Sequence, residues 1–307
     1  MRVAVIINPI SGRKGRRPDA GAAREALARR VTRALGIDAD VVSTRERGHA
    51  TELARDFAAR AADVVIAWGG DGTINEVAGP LIGTRTALGI VPSGSGDGLA
   101  RSLGLAAPPE AAIRTACGGA IQPVDVGWLG DRYVLKVCGL GFDAAVAVAF
   151  NRGQGRGALR YVTHTLSLIR SYRAVPYQVR LDGTDWPDAA RFMVGFANGR
   201  EYGNHLALSA DADPTDGWLD AVIVDDGSTL QRLWRARRLA IGQRRPAAGV
   251  HRVRVRTASV SADRLVGHVD GETFEARGTL DVRIQAGGVM VTGVRPGAFR
   301  HVAHVGM

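Results

Sequence analysis

Thiols are nearly absent: Cys117 and Cys138 are the two cysteines in 307 residues, far apart and in no metal-ligand spacing. Such usage excludes a disulfide-built scaffold and a thiolate metal centre, and it suits a chain kept reduced in a cytoplasmic compartment. Lysine is equally scarce, with only Lys14 and Lys136 among 40 basic residues. Long apolar runs are missing too. The longest, Val137 to Phe150, contains Asp143 and two glycines, so nothing approaches the ~20 apolar residues of a transmembrane segment. The first run, Val3 to Ile7, is shorter than the ~7–15-residue core of a signal peptide and reads as a first strand. No basic stretch is interleaved with stacking aromatics, so no nucleic-acid partner is expected.

What the chain does have is arginine, alanine and glycine. A formal charge of +10 carried almost wholly by arginine fits a GC-rich genome and a solvated surface. The other reading is attraction for anionic partners, either phospholipid headgroups or phosphorylated ligands. The length suits two domains sharing a cleft better than one core.

Up to about residue 124, short apolar runs alternate with helical patterns, the grammar of a parallel α/β sheet. Val3 to Ile7, Ala39 to Ser43, Asp63 to Trp68 and Ala87 to Val91 read as strands. Ala22, Ala26, Leu27, Arg30, Val31 and Ala34 form the expected inward stripe of the first helix. From 125 to 293 the pattern changes to strand-like alternation with frequent glycines, which predicts a mostly antiparallel second domain. Two helices interrupt it, Leu159 to Tyr172 and a basic, amphipathic Leu230 to Ile241 whose Leu230, Leu233, Trp234 and Ile241 share one side. A helix of that kind packs on its own domain or docks on a membrane surface.

The strongest chemical signal is an apolar strand that runs into Gly69-Gly70-Asp71-Gly72-Thr73-Ile74-Asn75-Glu76 and then into a helix. Glycines let backbone N–H groups reach phosphate oxygens, and a helix N-terminus adds partial positive charge. Asp71 would repel a bare triphosphate, so its presence points to a metal ion or to proton handling. A second glycine loop, Pro92 to Gly98, leaves the next strand at the same sheet edge, as does Asn8 to Gly12 after the first strand. Ligands of open α/β sheets sit at that edge.

These motifs resemble the diacylglycerol kinase catalytic-domain family, which includes the bacterial soluble lipid kinases and the sphingosine kinases. The resemblance rests on Asn8-Pro9-x-Ser11-Gly12, Gly69 to Val77 and Pro92-x-Gly94-Ser95-Gly96. It continues through Asp125-Val126-Gly127, Gly139-x-Gly141-Phe142-Asp143, Asn198-Gly199, Asp216-Gly217-x-Leu219-Asp220 and Asp270-Gly271-Glu272. It implies a Rossmann-like, phosphofructokinase/NAD-kinase-like α/β nucleotide domain and a C-terminal antiparallel β-sandwich domain, with the active site in the cleft between them. The tail 294–307 would pack back on the first domain. ATP and Mg²⁺ are the implied cofactors, with nucleotide contacts from Asn8, Pro9, Ser11, Gly12, Thr44, Gly69, Gly70, Asp71, Gly72, Thr73, Asn75, Gly94, Ser95 and Gly96. Asp71 would act through Mg²⁺ and phosphate, and either Asp270 or Glu272 would take the proton of the acceptor hydroxyl. The segment Asp213 to Trp218 matches a structural Mg²⁺ loop, in which Asp216 gives a side chain and Asp213 and Trp218 give carbonyls. The implied acceptor is a lipid at the membrane surface, approached by a cytoplasmic, peripheral enzyme for which a homodimer stays open.

Two positions depart from the family pattern. Asp97 stands where asparagine is usual, and Tyr202-Gly203-Asn204-His205 replaces a glycine run. Gly-Gly-Asp-Gly-Thr also serves NAD kinases and phosphofructokinases, so a soluble acceptor is one rival reading. A non-catalytic nucleotide- or lipid-binding regulator is the other.

Overall fold

The computed structural model describes residues 1–12, 19–152, 168–203, 206–240 and 247–294. The chain divides into two compact units, Met1–Val126 with the segment from Ala286, and Gly127–Gln285. Sequence patterning ends the second domain at 293. The segment from Ala286 instead belongs with the first unit, where Val291 pairs in parallel with Leu88.

The first unit runs β1 (Val3–Ile7), α1 (Ala20–Ala34), β2 (Asp40–Ser43), α2 (His49–Ala59), β3 (Val64–Gly69), α3 (Asp71–Leu81), β4 (Ala87–Pro92), α4 (Gly98–Ser102) and α5 (Pro109–Gly118), and reaches into β5 (Ile121–Leu129). Its strands lie in the order β4-β3-β1-β2, all parallel. Every residue of β1 and β3 is buried, as strands covered by helices on both faces must be. Parallel strands deliver all four exits to one edge, and the exits are joined there by backbone hydrogen bonds. The N–H of Thr44 donates to Ile7 O (2.8 Å), that of Asn8 to Trp68 O (2.9 Å) and that of Ser93 to Gly69 O (2.8 Å).

Helix α1 is rotated from the expected stripe. Ala20, Arg24, Ala28, Val31 and Thr32 are buried, whereas Ala22, Ala26, Arg30 and Ala34 are exposed. In an alanine-rich helix the apolar pattern is nearly flat, and the polar anchor Arg24 fixes the rotation.

The second unit runs from the end of β5 through β6 (Arg132–Val134), β7 (Val137–Gly141), α6 (Phe142–Arg152), β8 (Val175–Leu181), β9 (Thr184–Asp185), β10 (Ala189–Ala197), β11 (Glu201–Gly203), β12 (Leu206–Ala207), β13 (Leu219–Asp225), α7 (Thr229–Ala240), β14 (Val250–Val255), β15 (Thr257–Val269) and β16 (Glu272–Thr292). Its main sheet has the order β14-β13-β10-β7-β15-β16 in antiparallel pairing, with β8 joined to β10 and β15. One cluster of buried side chains includes Phe196, Ile223 and Val260, and a second gathers Phe142, Phe192, Val222 and Leu239. In the second cluster Phe142 stacks on Phe192 at 4.3 Å, and the ring of Tyr172 meets both edge-on.

Within the apolar run Val137 to Phe150 the chain turns helical at Phe142, which adds a helix to the two expected in this unit. Of the expected helix Leu159 to Tyr172, residues 159–167 lie outside the described residues, and Leu168 to Ser171 are helical. Ile241, Asn204, His205 and the tail beyond Val294 also lie outside them.

Candidate functional site

At the strand-exit edge of the first unit, three loops are held together by side chains and by missing side chains. Asn8 Nδ2 donates to Thr73 Oγ1 (2.9 Å), and Asn8 Oδ1 accepts from the N–H of Ile10 (3.1 Å). The first loop is thereby fixed to the start of α3. Ser11 Oγ lies 2.7 Å from Ser93 Oγ, which joins the first loop to the third. A Cβ on Gly12, whose φ is +69°, would fall 2.1 Å from Ser93 O, and one on Gly94 would fall 2.8 Å from the Cα of Gly70. At Gly69 the obstacle is Thr73, 2.4 Å away. These glycines let the loops pack back to back.

Asp71 opens α3, and its carboxylate accepts from Gly98 N–H and Leu99 N–H, both at 3.2 Å. It therefore ties the second glycine loop and the start of α4 to the first. Asp97 adopts a left-handed conformation, φ +45°, and its Oδ1 accepts the N–H of Gly94 at 2.8 Å. That explains the departure from asparagine: both residues tolerate this conformation and both offer the oxygen. Ser95 and Gly72 are exposed, while Asn75 and Thr44 are half-buried. The predicted residues of segments 8–12, 69–75 and 94–96 come together, and Thr44 joins the same edge through Ile7.

Sequence reading missed Arg24. It is 8% exposed, donates to Ser11 Oγ (2.8 Å), Ser11 O (2.7 Å) and Asn8 O, and lies 5.8 Å from the centroid of the Trp68 ring. The available signal was a charged residue four positions from both Ala20 and Ala28. Ser93, paired with Ser11, was also unassigned.

In the second unit, Asp270 and Gly271 make the two-residue turn between β15 and β16, where Val269 pairs with Glu272. Both turn residues have positive φ, +50° and +98°, as such a hairpin requires. The Asp270 carboxylate points inward and accepts from the N–H groups of Leu135 (2.9 Å), Lys136 (2.9 Å) and Val137 (3.0 Å). Asn198-Gly199 in turn fixes that segment. The N–H groups of both residues donate to Lys136 O at 2.8 Å, and Asn198 Nδ2 donates to Leu135 O at 3.0 Å. Glu272, by contrast, is exposed.

Nearby, Asp143 Oδ2 lies 3.2 Å from Nε2 of the buried His268, and Asp143 Oδ1 accepts the N–H of Ala144 (2.8 Å). A Cβ on Gly139 would sit 1.7 Å from Asp143 Oδ2, and Gly141 has φ +101°; this accounts for both glycines of that motif. Burial and the neighbouring Asp143 push the Tyr172 hydroxyl up to about 12, and burial also raises Tyr177 and Cys138. Tyr172, Tyr177, Val175, Pro176 and Val266 help to line a cavity of about 960 Å³.

In the expected Mg²⁺ loop both acidic side chains are engaged within the protein. Asp213 Oδ1 is taken by the N–H (2.9 Å) and hydroxyl (2.6 Å) of Thr215, and Asp216 Oδ1 by the N–H of Trp218 (3.0 Å). Asp216 Oδ2 pairs with the guanidinium of Arg254, which also packs 5.3 Å from the Trp218 ring centroid. Asp213 and Asp216 thus each close an Asx turn, and Asp216, the one side chain of the expected ligand set, has both oxygens engaged and its charge met by arginine, where a hard cation would compete for the same oxygens. Among the described residues no cluster of three or more His, Cys, Asp or Glu could hold a metal.

Residues 2–129 match the model of the diacylglycerol kinase catalytic domain, and 136–302 match that of the YegS C-terminal NAD kinase beta sandwich-like domain. A diacylglycerol kinase of Mycobacterium tuberculosis is 29% identical over 278 residues, covering 88% of each chain. A protein of Chromohalobacter salexigens, described as a probable lipid kinase YegS-like, is 34% identical over 236 residues, covering 73% of this chain and 72% of its own. The crystal structure of a diacylglycerol kinase from Bacillus anthracis superposes with a TM-score of 0.75 at 19% identity, covering 96% of this chain and 97% of that one. That last likeness speaks for the fold alone.

Proposed function

The chain belongs to the diacylglycerol kinase catalytic-domain family, and we propose that it transfers the γ-phosphoryl group of ATP, taken as its magnesium complex, to the hydroxyl of a lipid. The observation that carries this reading is the joining of segments 8–12, 69–75 and 93–98 on one sheet edge. Backbone N–H groups, small residues and a helix N-terminus there suit a polyphosphate.

Phosphoryl transfer asks a protein for positioning and charge stabilisation more than for covalent chemistry. In this reading the first unit binds the nucleotide through Asn8, Ser11, Gly12, Thr44, the Gly69–Asn75 loop and Gly94–Gly96. Asp71 keeps the two glycine loops in register. As the acceptor oxygen bonds to the γ-phosphorus, the bond from that phosphorus to the ADP oxygen breaks, and the hydroxyl proton passes to a carboxylate. We assign that role to Glu272, because Asp270 is turned inward onto three backbone donors while Glu272 is exposed. The cavity beside Tyr172 and Tyr177, with apolar Val175, Pro176 and Val266, suits an acyl or alkyl chain.

The test is to incubate purified protein with γ-labelled ATP, Mg²⁺ and either mixed lipids, NAD or sugars. Label is expected in lipid and is expected to vanish with Glu272→Gln. Label in NAD or a sugar instead would move the assignment to a soluble-acceptor kinase. Label in no acceptor would favour a binding regulator.

A further inference from the structure

Helix α7 turns Arg232 and Arg235 inward together with Leu233 and Leu239, and leaves Leu230 and Trp234 outward. Arg235, 7% exposed, donates to the carbonyls of Asp225 (2.8 Å), Asp226 (2.9 Å) and Ala248 (3.1 Å). Arg232 donates to the Asp226 carboxylate (2.7 Å) and to the carbonyls of Ile169 (3.1 Å) and Tyr172 (2.8 Å). Leu233, Ala236 and Leu239 complete the packed face. On the other face Leu230 is 79% exposed and Trp234 is 44% exposed. They lie four residues apart and so are neighbours on the helix surface. Arg237 and Arg238 follow within one more turn, and the Arg238 guanidinium stacks 4.7 Å from the Trp234 ring centroid. No acidic residue occurs in the helix.

We propose that this face docks on an anionic phospholipid bilayer, with Leu230 and Trp234 entering the boundary of the acyl chains and the exposed Arg237 meeting headgroup phosphates. Charge complementarity selects this occupant. An apolar pair alone would suit a protein groove or a second copy of the chain, but arginines on a helix that carries no carboxylate of its own call for an anionic surface, as does the net charge of +10. Tryptophan beside arginine is also the composition of a membrane interface. From the opposite side of the same helix, Arg232 holds the carbonyl of Tyr172, a residue of the cavity wall, and so links the helix to the cavity. The proposal rests on the lipid-kinase reading for its purpose and on the helix alone for its geometry.

Vesicle flotation tests it, with phosphatidylcholine vesicles compared with vesicles containing phosphatidylglycerol. The wild type is expected to float with the anionic vesicles and to be released by salt. Leu230→Ser combined with Trp234→Ser, or Arg237→Glu alone, is expected to weaken binding by about tenfold, in line with the loss of buried apolar area or of a headgroup contact. Brominated acyl chains should quench wild-type fluorescence, and Trp234→Phe should still bind while losing that quenching. The proposal is overturned if the wild type does not float, or if the double variant, with unchanged circular dichroism and melting, floats as the wild type does. It is equally overturned if the double substitution only converts a dimer into a monomer. Phosphate transfer to the same lipid in non-ionic micelles separates this from the functional reading. A protein that floats through Trp234 but phosphorylates no lipid defeats the kinase assignment and supports the surface. One that phosphorylates micellar lipid yet floats independently of Leu230 and Trp234 defeats the surface alone.

Discussion

Asp270 places its carboxylate 2.9 Å from the backbone nitrogen of Lys136, and the flanking N–H groups of Leu135 and Val137 share the same two oxygens. A carboxylate engaged by three amides from another strand connection is a fastener. It sets the hairpin turn, and the turn sets where Glu272 begins β16. The two acidic residues of one short motif are therefore expected to have separable roles.

Glu272→Gln is accordingly expected to lower kcat by roughly 10²–10⁴-fold, the usual contribution of a general base, with little change in the melting temperature or in KM for ATP. Asp270→Ala should act on stability first. Leaving buried amide donors unsatisfied costs about 1–3 kcal/mol each at most sites, so a clear fall in the urea midpoint should accompany its loss of activity. Equal effects of both substitutions on melting would sink the division of roles.

Much of this arrangement is legible in the sequence where backbone geometry dictates residue type. Gly12, Gly69, Gly94, Gly139 and Gly141 stand where a Cβ meets another atom or where φ is positive, so the glycine motifs by themselves mark the loops. The parallel strands are equally plain, because strands buried on both faces are written as unbroken apolar runs. What stays hidden depends on side-chain direction. An alanine-rich α1 hardly distinguishes its faces, so Arg24 reads as surface although it is buried at the loops. The outward turn of Leu230 and Trp234 is invisible for the converse reason: nothing in the spacing says that Arg232 and Arg235 find carbonyls. The Asp213–Trp218 loop carries the motif of a metal site, and Arg254, distant in sequence, changes its chemistry.

Arg24 joins Asn8 and Ser11, two residues assigned to the nucleotide, without being in their loop. Arg24→Met keeps the aliphatic stem and removes the fork of donors. Losing charged hydrogen bonds of this kind costs about 1.5–3 kcal/mol, and part of that should appear as a KM for ATP raised by roughly tenfold while kcat changes less. Arg24→Lys should fail to restore it, since one ammonium cannot span the Asn8 and Ser11 carbonyls and the Ser11 hydroxyl together. Full recovery with lysine would argue that only charge matters at this position.

Asp97 closes its loop with one oxygen on Gly94 N–H, a bond that an asparagine Oδ1 can make equally well. Asp97→Asn keeps this bond and the left-handed turn and removes a negative charge near the proposed triphosphate position. The expected result is a KM for ATP lowered by roughly threefold, the scale of a partly screened charge contact, with the gain shrinking at high salt. A raised KM, or a large drop in melting temperature, would show that the second carboxylate oxygen matters.

The pairing of Asp216 with Arg254 makes a prediction about pH and metal together. Burial pushes Asp216 up to about 6 from its ordinary 3.8, while Arg254 pulls it back down. The folded state thus holds the Asp216 proton more tightly than the unfolded chain does. The linked stability is fully present below the unfolded value and is lost as pH rises through about 6. Asp216→Asn removes this titration, so its stability relative to wild type should improve between pH 4 and pH 7, whatever its offset from the lost ion pair. Arg254→Met removes the cation that favours the charged carboxylate, so the midpoint of the Asp216 titration, followed by carboxyl NMR, should move up. Because arginine already meets the charge, millimolar Mg²⁺ should leave the melting temperature of the nucleotide-free wild type unchanged. A Mg²⁺-induced rise that disappears in Asp216→Asn would mean that the cation displaces Arg254 and that the loop is a metal site after all.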